Sequence, residues 1–109
     1  MNIGILSDDV MFCSSLASTC LDNNFSIKFM DLSSSLDSHL DYVVVDLDYS
    51  TDSALLKCKE YSNGDCLVFG AISQPTKSNI LKAKRVGCLM VLTKSNFSAN
   101  LIDIILKVR

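Results

Sequence analysis

The sequence predicts a three-layer α/β/α sandwich around a parallel sheet, and three observations predict it. Short apolar runs recur along the 109 residues, and most are followed by apolar residues at helical spacing. Asn, Gly and Ser clusters separate these segments, as turns require. The run from Tyr42 to Leu47, with Val43-Val44-Val45 inside it, is apolar without alternation. That is how a central parallel strand reads when helices cover both of its faces.

Ile3 to Leu6 forms the first expected strand. Ser7-Asp8-Asp9 then opens a helix in which Phe12, Leu16 and Cys20 recur every four positions. Asn23-Asn24 tolerates the left-handed cap that ends it, and Ser26 to Leu32 follows as a strand with Ile27, Phe29 and Asp31 alternating. Ser33 to His39 is serine-rich and weakly patterned, giving at most a short helix. Tyr42 to Leu47 is the third strand. Ser53 to Tyr61 sets Ala54, Leu55 and Cys58 on one side of a helix, which Asn63-Gly64 stops before a strand from Cys66 to Ala71. Pro75 stands near the start of a fourth helical segment that runs to Val86, and Gly87 closes it before the strand Cys88 to Thr93. A last helix aligns Leu101, Ile104, Ile105 and Val108. Five strands alternating with five helices suit right-handed crossovers and the flavodoxin-like (βα)5 order 2-1-3-4-5. Residues 1-109 are read as a single domain of this kind.

Composition excludes several classes. At 49% hydrophobic and 20% charged residues, burial can offset the entropy of ordering the chain. No apolar run approaches the ~20 residues of a membrane helix. The start Met1-Asn2-Ile3-Gly4, reaching acids at Asp8 and Asp9, lacks the basic flank of a secretory signal, so a cytoplasmic location is expected. Cys13, Cys20, Cys58, Cys66 and Cys88 contain no C-x-x-C pair and have only His39 as a histidine companion, which suggests neither a disulfide framework nor a zinc site. All five suit the role of small buried hydrophobes. A net charge of −2 gives no global attraction to nucleic acid.

In an open α/β sheet, functional groups gather beyond the carboxyl ends of the strands, where strands 1 and 3 diverge. Asp8-Asp9 follows strand 1, Asp46 ends strand 3, and Lys94 ends strand 5. Taken singly, each acid is explained as a helix N-cap and Lys94 as a solvated lysine. Taken together, clustered carboxylates repel one another unless a lysine and a hard cation compensate them.

This spacing resembles the receiver domain of two-component response regulators over the whole chain. The resemblance implies that Asp46 accepts a phosphoryl group and Lys94 pairs with the phosphate. It implies that Asp8, Asp9 and Asp46, with the main-chain carbonyl of Asp48, hold Mg2+. It further implies phosphorylation by a histidine kinase or phosphotransfer protein, and no enzymatic role beyond self-phosphorylation from small donors and autodephosphorylation. The chain departs from the family at three places. Ile72 stands where a hydroxyl residue is usual, leaving the neighbouring Ser73 as the candidate phosphate donor. Val91 lacks the aromatic ring of the usual switch, and Ser95 replaces the proline after the lysine. A non-proline cis bond costs about 3 kcal/mol, so a trans or reshaped connection is expected.

The fourth expected helix carries Lys77, Lys82, Lys84 and Arg85, so the face from the fourth to the fifth helix is a candidate surface for an effector or a second copy. An ordinary solvated helix face explains the same residues. No helix-turn-helix or zinc module is present for reading DNA bases. The alternative function is a phosphorylation-independent pseudo-receiver, a dimerisation or interaction module that forms the N-terminal part of a transcription regulator. A flavin or phosphocysteine enzyme on this scaffold needs a phosphate-cradling loop after strand 1, and the anionic Ser7-Asp8-Asp9 opposes one.

Overall fold

The computed structural model describes residues 1–34, 39–49 and 51–107. Five parallel strands, β1 (Asn2–Leu6), β2 (Ser26–Met30), β3 (Tyr42–Asp46), β4 (Leu67–Ile72) and β5 (Met90–Thr93), form one sheet in the order β2-β1-β3-β4-β5. Helices α1 (Val10–Asp22), α2 (Thr51–Ser62), α3 (Lys77–Arg85) and α4 (Lys94–Lys107) pack on it. The expected architecture and strand order are therefore those observed. The short helix expected over Ser33 to His39 falls largely outside the described residues, as does Val108.

The unalternated valine run serves both faces of the sheet, because successive strand side chains point in opposite directions. Val44, with Ile3, Ile5, Tyr42 and Phe69, meets Phe12, Leu16 and Cys20 of α1 and Phe97, Leu101, Ile104 and Ile105 of α4. Val43 and Val45, with Leu6, Val68 and Ile72, meet Ala54, Cys58 and Tyr61 of α2 and Ala83 of α3. The result is three layers with a core on each side of the sheet.

Three local outcomes differ from the expected pattern. β2 stops at Met30 rather than Leu32, because the Asp31 carboxylate accepts the Ser33 N–H at 2.9 Å and its hydroxyl at 2.6 Å, turning the chain. Phe29 is 57% exposed, since β2 is an edge strand that the helices do not fully cover. The third concerns Lys94, expected at the end of a strand but found as the first residue of α4. Thr93 Oγ1 accepts the Asn96 N–H at 3.1 Å, which caps the helix directly on β5. The connection is trans and has no separate loop. Asn100 interrupts α4 with φ −132°, so the helix bends there and keeps Leu101, Ile104 and Ile105 on the sheet.

Turn chemistry fixes the remaining ends. Asn24 takes the left-handed conformation (φ 61°) that its type tolerates after α1. Gly87 (φ 110°) closes the turn after α3, and a β-carbon there would collide with Ser62 of α2. No helix among the described residues is long and apolar enough to cross a membrane.

Candidate functional site

Parallel pairing places the ends of β1, β3, β4 and β5 along one edge of the sheet. Leu6 pairs with Val45, Asp46 with Ala71, and Ile72 with Thr93. The next residue in each chain segment thus reaches the same edge: Ser7, Leu47, Ser73 and Lys94. Asp46, the last residue of β3, is 0% exposed and is the buried charged residue of the described core.

Lys94 organises this edge. Its ammonium lies 2.9 Å from Asp46 Oδ2, 3.1 Å from Asp9 Oδ2 and 3.3 Å from Asp48 Oδ2, and its side chain is 14% exposed. An ammonium carries three N–H donors, so each carboxylate can take one. The Phe12 ring, 5.6 Å from Nζ to its centroid, flanks the charge. Burial alone would lower the Lys94 pKa, yet the hydrogen bonds to Asp46 and Asp9 outweigh it and raise the pKa above the ordinary lysine range.

The carboxylates are held from their other sides as well. Asp46 Oδ2 accepts the Ser7 hydroxyl at 2.5 Å, and Asp46 Oδ1 accepts the Asp48 N–H at 2.9 Å. Asp9 caps α1 by accepting the Phe12 N–H at 3.1 Å on Oδ1. That bond and the one from Lys94 keep the Asp9 carboxyl below its usual range. Asp48 Oδ2 accepts the Ser73 hydroxyl at 2.7 Å and the Ser73 N–H at 3.0 Å. Burial pushes Asp48 upward, but these bonds and Lys94 prevail and lower it.

The structure therefore brings together Asp9, Asp46, Asp48, Ser73 and Lys94. Asp8 is exposed and makes no side-chain hydrogen bond or ion pair among the described residues. Asp48 enters the network through its carboxylate and its N–H. Ser73 reaches the network by binding Asp48, while Ile72 is buried in the core and offers no donor. Lys77, Lys82, Lys84 and Arg85 are exposed on α3, three of them in its last turn, where they complement the helix dipole.

Ser7 is a member of this network that the acidic motif concealed. The β1–β3 register sets Ser7, not an acid, beside Asp46, and its hydroxyl both donates to Asp46 and accepts the Asp9 N–H at 3.0 Å. The available signal was its place directly after the apolar run of β1. One ammonium stands among three carboxylates and balances the charge of one of them. Lys94 stands between them, and no three acids, histidines or cysteines among the described residues already converge on a common ion position.

Depressed carboxyl pKa values have a consequence for stability. Asp9 and Asp48 titrate lower in the folded chain, so their contribution is complete above the ordinary carboxylate pKa of about 4 and is lost as pH falls through the folded values. The midpoint of urea unfolding should hold between neutral and weakly acidic pH and then fall. Ser73→Ala, which removes the hydroxyl bound to Asp48, should make that acid decline shallower; an identical acid limb in the variant contradicts the assignment.

No protein-family model matches the chain, and no curated protein matches it. Solved structures do. A response regulator from Thermotoga maritima superposes with a TM-score of 0.80 at 13% identity, covering 98% of this chain and 95% of that one. The signal receiver domain of a DNA-binding response regulator from Colwellia psychrerythraea gives 0.77 at 20% identity, covering 99% and 97%. A putative pilus assembly protein from Burkholderia thailandensis gives 0.78 at 17% identity, covering 98% and 96%. At these identities the likeness establishes the fold: this chain has the fold of response-regulator receiver domains.

Proposed function

We propose that the chain is a two-component receiver domain in which Asp46 accepts a phosphoryl group and the modified state is read through protein contacts. The observation that carries this reading is the Lys94–Asp46 pair, an ammonium held 2.9 Å from a buried strand-end carboxylate at the switch point of the sheet. A structural ion pair alone does not call for two further carboxylates on the same ammonium.

In this reading an Asp46 carboxylate oxygen attacks phosphorus in a phosphohistidine or a small acyl phosphate. The bond from phosphorus to the donor nitrogen or oxygen breaks, and Asp46 becomes a mixed acyl phosphate. Asp46 Oδ2 already takes bonds from Ser7 and Lys94, whereas Oδ1 takes the Asp48 N–H, so Oδ1 is the less encumbered nucleophile. Lys94 pairs with the transferred phosphate, and Ser7 and Ser73 supply nearby hydroxyls. We assign Mg2+ to Asp8, Asp9, Asp46 and the Asp48 carbonyl; when bound it would neutralise charge on the phosphoryl oxygens. A histidine kinase or phosphotransfer protein is the proposed donor, and the cytoplasm the proposed location. The face from α3 to α4, with Lys77, Lys82, Lys84 and Arg85, is the proposed contact for an effector or a second copy.

One observation favours a second reading. Asp46 is 0% exposed beneath Ser7, Asp48 and Lys94, so a phosphoryl donor reaches it only if this cover opens. A chain in which the cover stays closed would be a pseudo-receiver, using the fold as an interaction module without phosphate. Incubation with Mg2+ and acetyl phosphate, followed by intact-mass measurement, separates the two. Wild type should gain one phosphoryl group, Asp46→Asn none, and beryllofluoride should change only the wild-type spectrum. Absence of any gain in wild type overturns phosphoacceptance and leaves the pseudo-receiver.

A further inference from the structure

The Asp48 side chain holds donors that stand beside Asp46. Its Oδ2 accepts the Ser73 hydroxyl at 2.7 Å and the Ser73 N–H at 3.0 Å. It also lies 3.3 Å from the Lys94 ammonium, the same group that pairs with Asp46 at 2.9 Å. The Asp48 side chain is 36% exposed, against 14% for Lys94 and 0% for Asp46, so it forms the solvent side of the cover. The turn beneath it is fixed through its backbone. Leu47 N–H donates to the Ala71 carbonyl at 2.8 Å, Asp48 N–H to Asp46 Oδ1 at 2.9 Å, and Tyr49 N–H to the Asp46 carbonyl at 3.2 Å. Rotation about its side-chain bonds therefore carries the Asp48 carboxylate into solvent without moving the turn.

Resting on the reading of Asp46 as phosphoacceptor, we propose that the Asp48 carboxylate is an autoinhibitory anion, which occupies the Ser73 and Lys94 donors until a phosphoryl group on Asp46 displaces it. Carboxylate and phosphoryl oxygens seek the same N–H and O–H donors. Ser73 has one hydroxyl proton and one N–H, and both are committed to Asp48. A phosphoryl group adds about two negative charges, and the neighbouring Asp48 carboxylate repels them while competing for Lys94. Ser7 is placed differently, since its hydroxyl already donates to Asp46 itself.

The full chain, treated with Mg2+ and acetyl phosphate and followed by intact mass over time, tests this with Asp48→Ala and Asp48→Asn; both substitutions leave the Asp48 main chain in place. Asp48→Ala should gain the phosphoryl group about ten-fold faster than wild type, the effect of losing one competing hydrogen bond between charged groups. Asp48→Asn, which can still accept from Ser73 but carries no charge, should fall between them. Beryllofluoride, titrated with Mg2+ by NMR, should bind Asp48→Ala more tightly by a similar factor, because the freed donors stabilise the adduct itself. Combination with Asp46→Asn should abolish both effects. Gain in wild type with equal or slower gain in both variants overturns the proposal alone, as does faster gain without tighter beryllofluoride binding, which marks a loosened cover. Gain in Asp48→Ala but none in wild type supports it, with Asp48 keeping the site shut. No gain in any of the three overturns it together with phosphoacceptance by Asp46.

Discussion

Replacing Lys94 by methionine should destabilise the chain by about 3–5 kcal/mol, the range found when one partner of a buried ion pair is removed. The side chains are similar in length, so the change removes charge and three donors more than volume. Asp46, 0% exposed, would then hold its charge with the Ser7 hydroxyl and the Asp48 N–H as the donors to its side chain among the described residues. Asp9 and Asp48 would repel it without the ammonium that now joins all three. Urea unfolding of the variant and of Lys94→Met combined with Asp46→Asn measures this. The double variant should recover a large share of the loss at neutral pH. Equal stability of wild type and Lys94→Met would show that the network is solvated and contributes little.

Phe97→Ala should cost a comparable amount, about 3–5 kcal/mol, for a fully buried aromatic ring cut back to a methyl group. Phe97 is 0% exposed and meets the Phe69 ring edge-on at 6.1 Å, while Phe69 stacks on Tyr42 at 5.9 Å. The chain of rings therefore runs from α4 through β4 to β3, the strand that carries Asp46. Phe97 lies one turn after Lys94 in α4 and anchors that turn to the sheet. Removing the ring leaves a cavity under the start of α4 and slackens the backbone that aims Lys94 at its three acids. Urea unfolding should report the stability loss. The acid limb of the stability profile should also become shallower, because a loosened Lys94 supports Asp9 and Asp48 less. Phe97→Leu, which fills most of the space, should restore most of both; failure to do so would mean that ring-edge geometry rather than volume holds the helix.

Much of the fold is legible in the sequence because local periodicity and the buried core agree. Val43-Val44-Val45 shows a strand covered on both faces, and Phe12, Leu16 and Cys20 give the buried stripe of α1. Asn24 and Gly87 mark turns whose backbone demands their types. The boundaries that moved were set by side chains reaching across short distances. Asp31 turns the chain and ends β2 early, and Thr93 caps α4 so that Lys94 starts a helix. Phe97, four residues before Leu101, extends the expected helical stripe toward β5, because α4 starts directly at Lys94.

By itself, the sequence determined the layer architecture, the strand order and the edge on which Asp46 and Lys94 meet, since hydrophobic period and crossover handedness leave few alternatives. Only the tertiary structure decided which neighbours surround Asp46. A shift of one residue after β1 separates an exposed Asp8 from an Asp9 bound to Lys94 and sets the Ser7 hydroxyl against the buried carboxylate. Hydrophobic patterning specifies which face of a strand is buried, but the identity of a hydrogen-bond partner depends on register across strands and on where each helix starts, and those are fixed by contacts between residues far apart in the chain.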